Sequence, residues 1–216
     1  MIYFCSDLHG NFTKIDPLKE YLEIATENDL LILLGDVGMH FRETEDNEAF
    51  TAFFLAMDKP VAFIDGNHEN FDYLNALPVE EWNGGKVHRL TDHIVHLMRG
   101  QIYTINGETY FTFGGCKSSA KWVANGPWYP AEEATDAEYQ TAYANLAAHD
   151  NKVDYVLTHK YRVEDPEAEP LSLNGLTNYL NERVQFKQWY CGHWHKIEHF
   201  DDLHTCLYDT LTPMNG

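Results

Sequence analysis

Five short stretches carry metal-binding residue types, and each follows an apolar run: Asp7-Leu8-His9, Gly35-Asp36-Val37-Gly38, Gly66-Asn67-His68-Glu69, Thr158-His159 and Gly192-His193-Trp194-His195. Asp, Asn and His offer the hard and borderline oxygen and nitrogen donors that divalent ions take. Asp7 and His9 stand two residues apart, as do His193 and His195, so in extended backbone each pair shares a face. A structural zinc needs only four ligands. Asp7, His9, Asp36, Asn67, His159, His193 and His195 make seven candidates, too many for one ion and suited to two. A carboxylate such as Asp36 can bridge them. Two ions roughly 3.5–4 Å apart clamp the attacking and leaving oxygens of an in-line phosphoryl displacement, and they lower the pKa of bound water enough to supply hydroxide near neutral pH. Two divalent ions carry four positive charges, and Asp7, Asp36 and a bridging hydroxide remove three of them. The site therefore stays attractive to a phosphate anion.

Such a site needs strands that end together. The apolar runs Ile2–Cys5, Leu30–Leu34 and Val61–Ile64 read as buried strands. Between them lie helical patterns at residues 12–25 (Phe12, Ile15, Leu18, Tyr21, Leu22, Ala25) and 45–57. This β-α-β-α-β order predicts a layered α/β unit with a parallel sheet, and ligand sites in such sheets form beyond the carboxyl ends of the strands. Further on, Asn83-Gly84-Gly85 and Asn106-Gly107 are turn signals. The second joins Gln101–Ile105 to Glu108–Phe113 as a hairpin, which predicts a second, antiparallel sheet. Residues 117–133 read as an irregular aromatic segment containing Trp122, Trp128 and Tyr129. It fits a substrate lid, a packed insertion or an oligomer contact. Residues 136–149 and Leu176–Val184 read as helices, Val153–Leu157 and Gln188–Cys191 as strands, and Tyr208 onward shows no pattern. With no linker or repeat, residues 1–216 are expected to form one domain.

Composition narrows the function classes. The chain has 216 residues and a formal charge of −19, which disfavours nucleic-acid partners. No apolar run reaches membrane-span length and the start lacks a basic leader, so a cytoplasmic protein is expected. Cys5, Cys116, Cys191 and Cys206 form no CxxC and read as reduced, partly buried thiols. His40, His88, His93, His96, His149, His199 and His204 lie outside every motif, with surface or hairpin positions the default. Glu43, Glu45, Asp46 and Glu48 read as a solvated helix start. Asn83-Gly84-Gly85-Lys86 lacks the full phosphate-loop pattern.

Taken together, Asp7-x-His9, Gly35-Asp36, Gly66-Asn67-His68-Glu69, His159 and Gly192-His193-x-His195 resemble the five signature blocks of the calcineurin-like metallophosphoesterases, in the family's order over residues 7–195. The resemblance is strongest to small bacterial and phage members. It implies two mixed β-sheets packed as a sandwich flanked by helices, an αββα fold. It also implies that Asp7, His9 and His195 hold one metal, that Asn67, His159 and His193 hold the other, and that Asp36 bridges. His68 would contact the phosphate and protonate the leaving group. The expected activity is hydrolysis of a small phosphomonoester or phosphodiester by a metal-bridging hydroxide. Manganese is the expected metal, with iron, nickel or zinc also compatible, and no organic cofactor is expected. In the protein-phosphatase branch an Asp stands three residues after the bridging one, followed by Arg; here Met39 takes that place and Arg42 is out of register. Trp194 is bulkier than expected between the paired histidines and would narrow the pocket mouth. Lys160 and Arg162, just after His159, are candidates for phosphate contact or for solvent-exposed loop. Rival readings are a non-catalytic metal-binding scaffold, which normally lacks ligands, and a nucleic-acid-processing phosphoesterase, which the acidic charge disfavours.

Overall fold

A computed structural model describes residues 1–161 and 167–214. β1 (Ile2–Cys5), β2 (Leu30–Leu34) and β3 (Val61–Ile64) lie side by side in parallel, with no residue of β2 or β3 exposed. Alternation along β2 explains its all-apolar sequence. Leu31 and Leu33 pack with Leu18, Tyr21, Phe50 and Phe54 of two covering helices, while Ile32 and Leu34 enter the opposite core. Those helices are α1 (Asp16–Ile24) and α2 (Glu45–Leu55). Pro17 opens α1, so the pattern expected over 12–25 divides into a 3-10 turn at Phe12–Lys14 and a shorter helix. Thr44 caps α2 by accepting from Asn47 N, and Glu45, Asp46 and Glu48 fill its first turn.

β6 (Ile94–Leu97) extends this sheet in parallel beside β3, and β5 (Gly85–Arg89) and β4 (Val79–Trp82) follow as antiparallel neighbours. With β13 (Thr212–Pro213) against β1, the sheet has seven strands. Asn83 and Gly84 make the turn between β4 and β5.

The second sheet has six strands and is mixed rather than antiparallel. The hairpin of β7 (Gln101–Ile105) and β8 (Glu108–Phe113) forms as expected around Asn106 and Gly107. Beyond it, β9 (Tyr155–Thr158), β10 (Gln188–Cys191) and β12 (His204–Cys206) run parallel to β8, with β11 (Glu198–His199) antiparallel at the edge. The inner faces meet through residues such as Phe4, Ile32, Ile64, Leu97, Tyr103, Tyr110 and Leu157. The outer face of the second sheet is covered by α5 (Asp136–Ala148) and α6 (Leu173–Arg183) through Ala142, Leu146, Leu176 and Leu180. The layers are therefore helix, sheet, sheet, helix, an α/β sandwich. The segment 117–133 is less irregular than expected, because Ser119 caps the short helix α4 (Ala120–Val123) and a 3-10 turn follows at Pro130–Glu132. The short helix α3 (Phe71–Ala76) follows the Gly66 block. Among the described residues, no helix is long and apolar enough to cross a membrane.

Of the histidines expected at surface or hairpin positions, His88 and His96 do lie on the β5–β6 hairpin, but they and His204 are buried. His88 and His96 face each other across β5 and β6, with Nδ1 atoms 3.0 Å apart. His204 packs inside the second sheet and contacts Asp201. The four cysteines are reduced and fully buried rather than partly so.

Candidate metal centre

Six parallel strands end at one edge of the sandwich: β1, β2 and β3 from one sheet, β8, β9 and β10 from the other. Beyond them the structure brings all seven expected residues together. Asp7, His9, Asp36 and His195 form one group, each offering a donor atom within 4.8 Å of the others. His9 Nε2 and His195 Nε2 approach to 2.8 Å, and His195 Nε2 lies 3.4 Å from Asp7 Oδ1. His159 and His193 belong to a second group, with His159 Nε2 3.3 Å from His193 Nδ1. Asp36 stands between the groups: Oδ1 lies 3.4 Å from His159 Nε2 and Oδ2 3.6 Å from His9 Nδ1.

The convergence does not come from extended backbone, as the two-residue spacing suggested. Asp7 (φ 61°), His9 (φ 56°), Asp36 (φ 52°), His193 (φ 71°) and His195 (φ 52°) all occupy the left-handed region. Side chains other than glycine rarely sit there, and such conformations gather at functional sites. Neighbouring contacts hold them. Asp7 Oδ2 accepts from His193 N at 2.9 Å, and Asp36 Oδ1 accepts from His68 N at 2.7 Å. The motif glycines allow the loops to close: a side chain at Gly66 would strike the Asp36 carboxylate, and one at Gly192 would strike Ser6 Oγ. Glu69, fully buried, fastens two loops by accepting from Val37 N, Gly38 N and Gly66 N at 2.8, 2.9 and 3.2 Å. Burial, helped by the nearby Asp36 charge, pushes its carboxyl up to about 8.

The donor set fits divalent ions. Asp7 Oδ1 is buried and has no hydrogen-bond partner among the described residues, a costly state for a carboxylate unless a cation meets it. Burial opposes ionisation of Asp36, but His159 in contact overrides it and holds the carboxyl well below the usual range. Burial likewise opposes charge on His159, and Asp36 reverses this, raising the imidazole to about 10. The centre thus draws positive charge. His159 Nδ1 faces Leu34 O at 2.8 Å, which directs Nε2 inward. Burial lowers His9 to about 4 and His193 to about 3, keeping both neutral as ligands must be.

Two features escaped the sequence reading. Cys116, three residues beyond β8, joins the group of His159 and His193, with Sγ 3.6 Å from His193 Nδ1 and 3.2 Å from Asn67 Oδ1. The glycine-then-ligand pattern at a strand end, as in Gly35-Asp36, was the available signal: Gly114-Gly115-Cys116 repeats it. Asn67 is itself aimed by Ser118, whose Oγ accepts from Asn67 Nδ2 at 3.0 Å and donates to buried Glu132 Oε2 at 2.7 Å. Nothing local in sequence marks that relay.

His68 sits at the rim of the paired groups. Its ring lies 4.9 Å from His9, 5.2 Å from Phe41 and 4.5 Å from Trp122, centroid to centroid. Its Nδ1 is buried without a hydrogen-bond partner among the described residues. Arg42 reaches the same rim, 5.6 Å above the Trp122 ring. Trp194 is exposed beside His193 and donates to Tyr161 O at 3.2 Å. A cavity of about 390 Å³ adjoins the second group and is lined by Cys116, Lys117, Ser118, Lys160 and Ser172, among others. Arg162 lies outside the described residues.

The calcineurin-like phosphoesterase family model matches residues 1–197. No curated protein matches the chain. Among solved structures, a phosphopantetheinyl hydrolase from Mycobacterium tuberculosis is similar at 19% identity and a TM-score of 0.44, covering 96% of this chain and 89% of that one. With the family model spanning every block that carries the site, the chain belongs to the calcineurin-like phosphoesterases, a family of metal-dependent phosphoester hydrolases.

Proposed function

We propose that the protein hydrolyses a small phosphate ester with two divalent ions. Asp7, His9 and His195 would hold one, Asn67, His159 and His193 the other, and Asp36 would be shared. The observation that carries this reading is the placement of Asp36, with one carboxylate oxygen toward each histidine group. When bound, the ions supply the positive charge that receives the phosphate and the acidity that readies a water for attack on phosphorus. The chain's own residues do the rest. Asp7 and Asp36 supply buried negative charge, and Glu69 and the left-handed loops fix the donors in place before substrate arrives. His68 at the rim would donate a proton to the leaving oxygen. The cavity beside Lys160 would take the rest of a small substrate, which suits a chain whose net charge repels nucleic acid. Asp36→Asn tests the reading. It should abolish turnover of a chromogenic phosphodiester and lower the occupancy of both ions by elemental analysis. A variant with full metal content and near-normal rate would overturn the shared role.

A further inference from the structure

We infer that Cys116 is a metal ligand, supplying a thiolate to the ion held by Asn67, His159 and His193, so that the two metal positions differ in kind. The inference rests on the dinuclear reading above and adds a donor to it. The placement is built by the chain. β8 runs parallel to β9, so Cys116 leaves its strand at the same edge as His159. A side chain at Gly114 would come within 2.5 Å of Asp65 O, and Gly115 has a φ of +74°, so this pair permits the tight exit that turns Cys116 inward. Its Sγ lies within 4.8 Å of donor atoms on both His159 and His193. It also faces Asn67 Oδ1, the one amide end that the Ser118–Glu132 relay leaves free for an ion.

The other three thiols point elsewhere. Cys5 Sγ contacts Tyr208 O and Cys206 Sγ contacts Gly192 O, while Cys191 is buried at the end of β10. Without an ion, the Cys116 thiol is a weak donor to Asn67 Oδ1. On binding, its S–H bond breaks, the proton goes to solvent, and the sulfur–metal bond replaces it. A thiolate and two imidazoles, beside one amide oxygen and the shared Asp36 carboxylate, make a softer set than the other position's, and it favours zinc, iron or cobalt over manganese. The group of Asp7, His9, Asp36 and His195 contains only oxygen and nitrogen donors and accepts manganese. Manganese, expected for both positions from sequence, then suits only one of them.

The test is spectroscopic. The full chain is loaded with cobalt(II), its stoichiometry is measured, and the near-ultraviolet thiolate-to-cobalt charge-transfer band is recorded. We expect the band in the native chain and in Cys5→Ser, and its loss in Cys116→Ser. X-ray absorption of the zinc-loaded native chain should show a sulfur scatterer at about 2.3 Å, a measurement that needs no variant. Cys116→Ser should also weaken zinc at one position by at least the roughly 10–100-fold that loss of a mere outer partner costs, leaving manganese at the other unchanged. Two bound ions with no charge-transfer band and no sulfur scatterer would overturn the thiolate while leaving the dinuclear reading intact. One bound ion with the band would uphold the thiolate and overturn the pair. A band that survives in Cys116→Ser would assign the sulfur to another cysteine and end the proposal.

Discussion

Asn67 gives its side-chain N–H to Ser118 Oγ at 3.0 Å, and this hydrogen bond leaves its Oδ1 facing Cys116 Sγ, the end an ion would meet in the proposed site. Ser118 is in turn held by Glu132, which accepts from Ser118 N at 2.5 Å and from its hydroxyl. A residue in the aromatic segment therefore orients a donor at the end of β3. Ser118→Ala should free the amide to flip and leave Glu132 Oε2 without its hydroxyl partner. We expect a loss of roughly 10–100-fold in affinity for one of two ions, as outer-partner variants show, with the other unaffected. Metal titration by calorimetry would separate the two. Equal weakening of both, or of neither, would dismiss the orienting role.

His68 should act on the leaving group rather than on the metals. His68→Ala is expected to keep both ions, to lose little on p-nitrophenyl esters, and to lose far more on alkyl or nucleoside esters. General acids contribute roughly 10²–10⁴-fold. The absence of a partner on Nδ1 among the described residues points to the lower part of that range. Comparable losses on both ester types would mean that His68 positions the phosphate instead. Loss of metal would make it a ligand.

Trp122 touches His68 edge-on and lies under Arg42, and its Nε1 donates to Pro127 O at 2.9 Å. Tyr129 packs near Phe41 and Phe71, further from the metal groups. Trp122→Ala should shift the ratio of kcat/KM between two esters by about tenfold, the scale of a changed pocket wall, while metal content stays the same. Tyr129→Ala and Trp128→Ala should shift it less. Variants that unfold or lose metal without a change of preference would make the segment purely structural.

Arg99 and Asp65 form a buried ion pair, with Arg99 Nε 2.8 Å from Asp65 Oδ2 and His96 Nε2 3.2 Å from Oδ1. Burial works against the Asp65 charge, yet Arg99 overrides it and holds the carboxyl below the usual range. Removing one partner strands the other, so Arg99→Met should cost about 3–5 kcal/mol in denaturant unfolding. Because the folded pKa is depressed, this contribution is full above the unfolded value of about 3.9 and is lost as pH falls toward the folded one. Asp65→Asn should accordingly be less stable at neutral pH and flatter in its acid limb. A variant as stable as the native chain would show the pair to be dispensable.

What could be read in advance follows from how local each signal is. The β7–β8 hairpin was legible because Asn106 (φ 53°) and Gly107 (φ 84°) are the residue types a positive-φ turn requires. The convergence of the seven candidate residues was legible because each sits in a short block at the end of an apolar run. β11, β12 and β13 were missed because two or three residues give no period to read. The second sheet looked antiparallel because its parallel partners β9 and β10 come from distant sequence, which a turn signal cannot reveal. Cys116 was passed over because an isolated cysteine is ordinarily a small buried apolar filler. Its meaning lies in proximity to His193, which is 77 positions away.

Neither sheet carries all the candidate donors of either group. Asp7, His9 and Asp36 leave from one sheet and His195 from the other, while Asn67 comes from the first and His159 and His193 from the second. His9 and His195, in contact, are separated by 186 positions. An ion bound between them would act as a removable cross-link closing nearly the whole chain into a loop, the kind of closure that restrains an unfolded polymer most. A chain with only one sheet formed would grip metal weakly. Loading would therefore report that the two halves have docked, and chelation would loosen the sandwich at its seam rather than merely silence its chemistry.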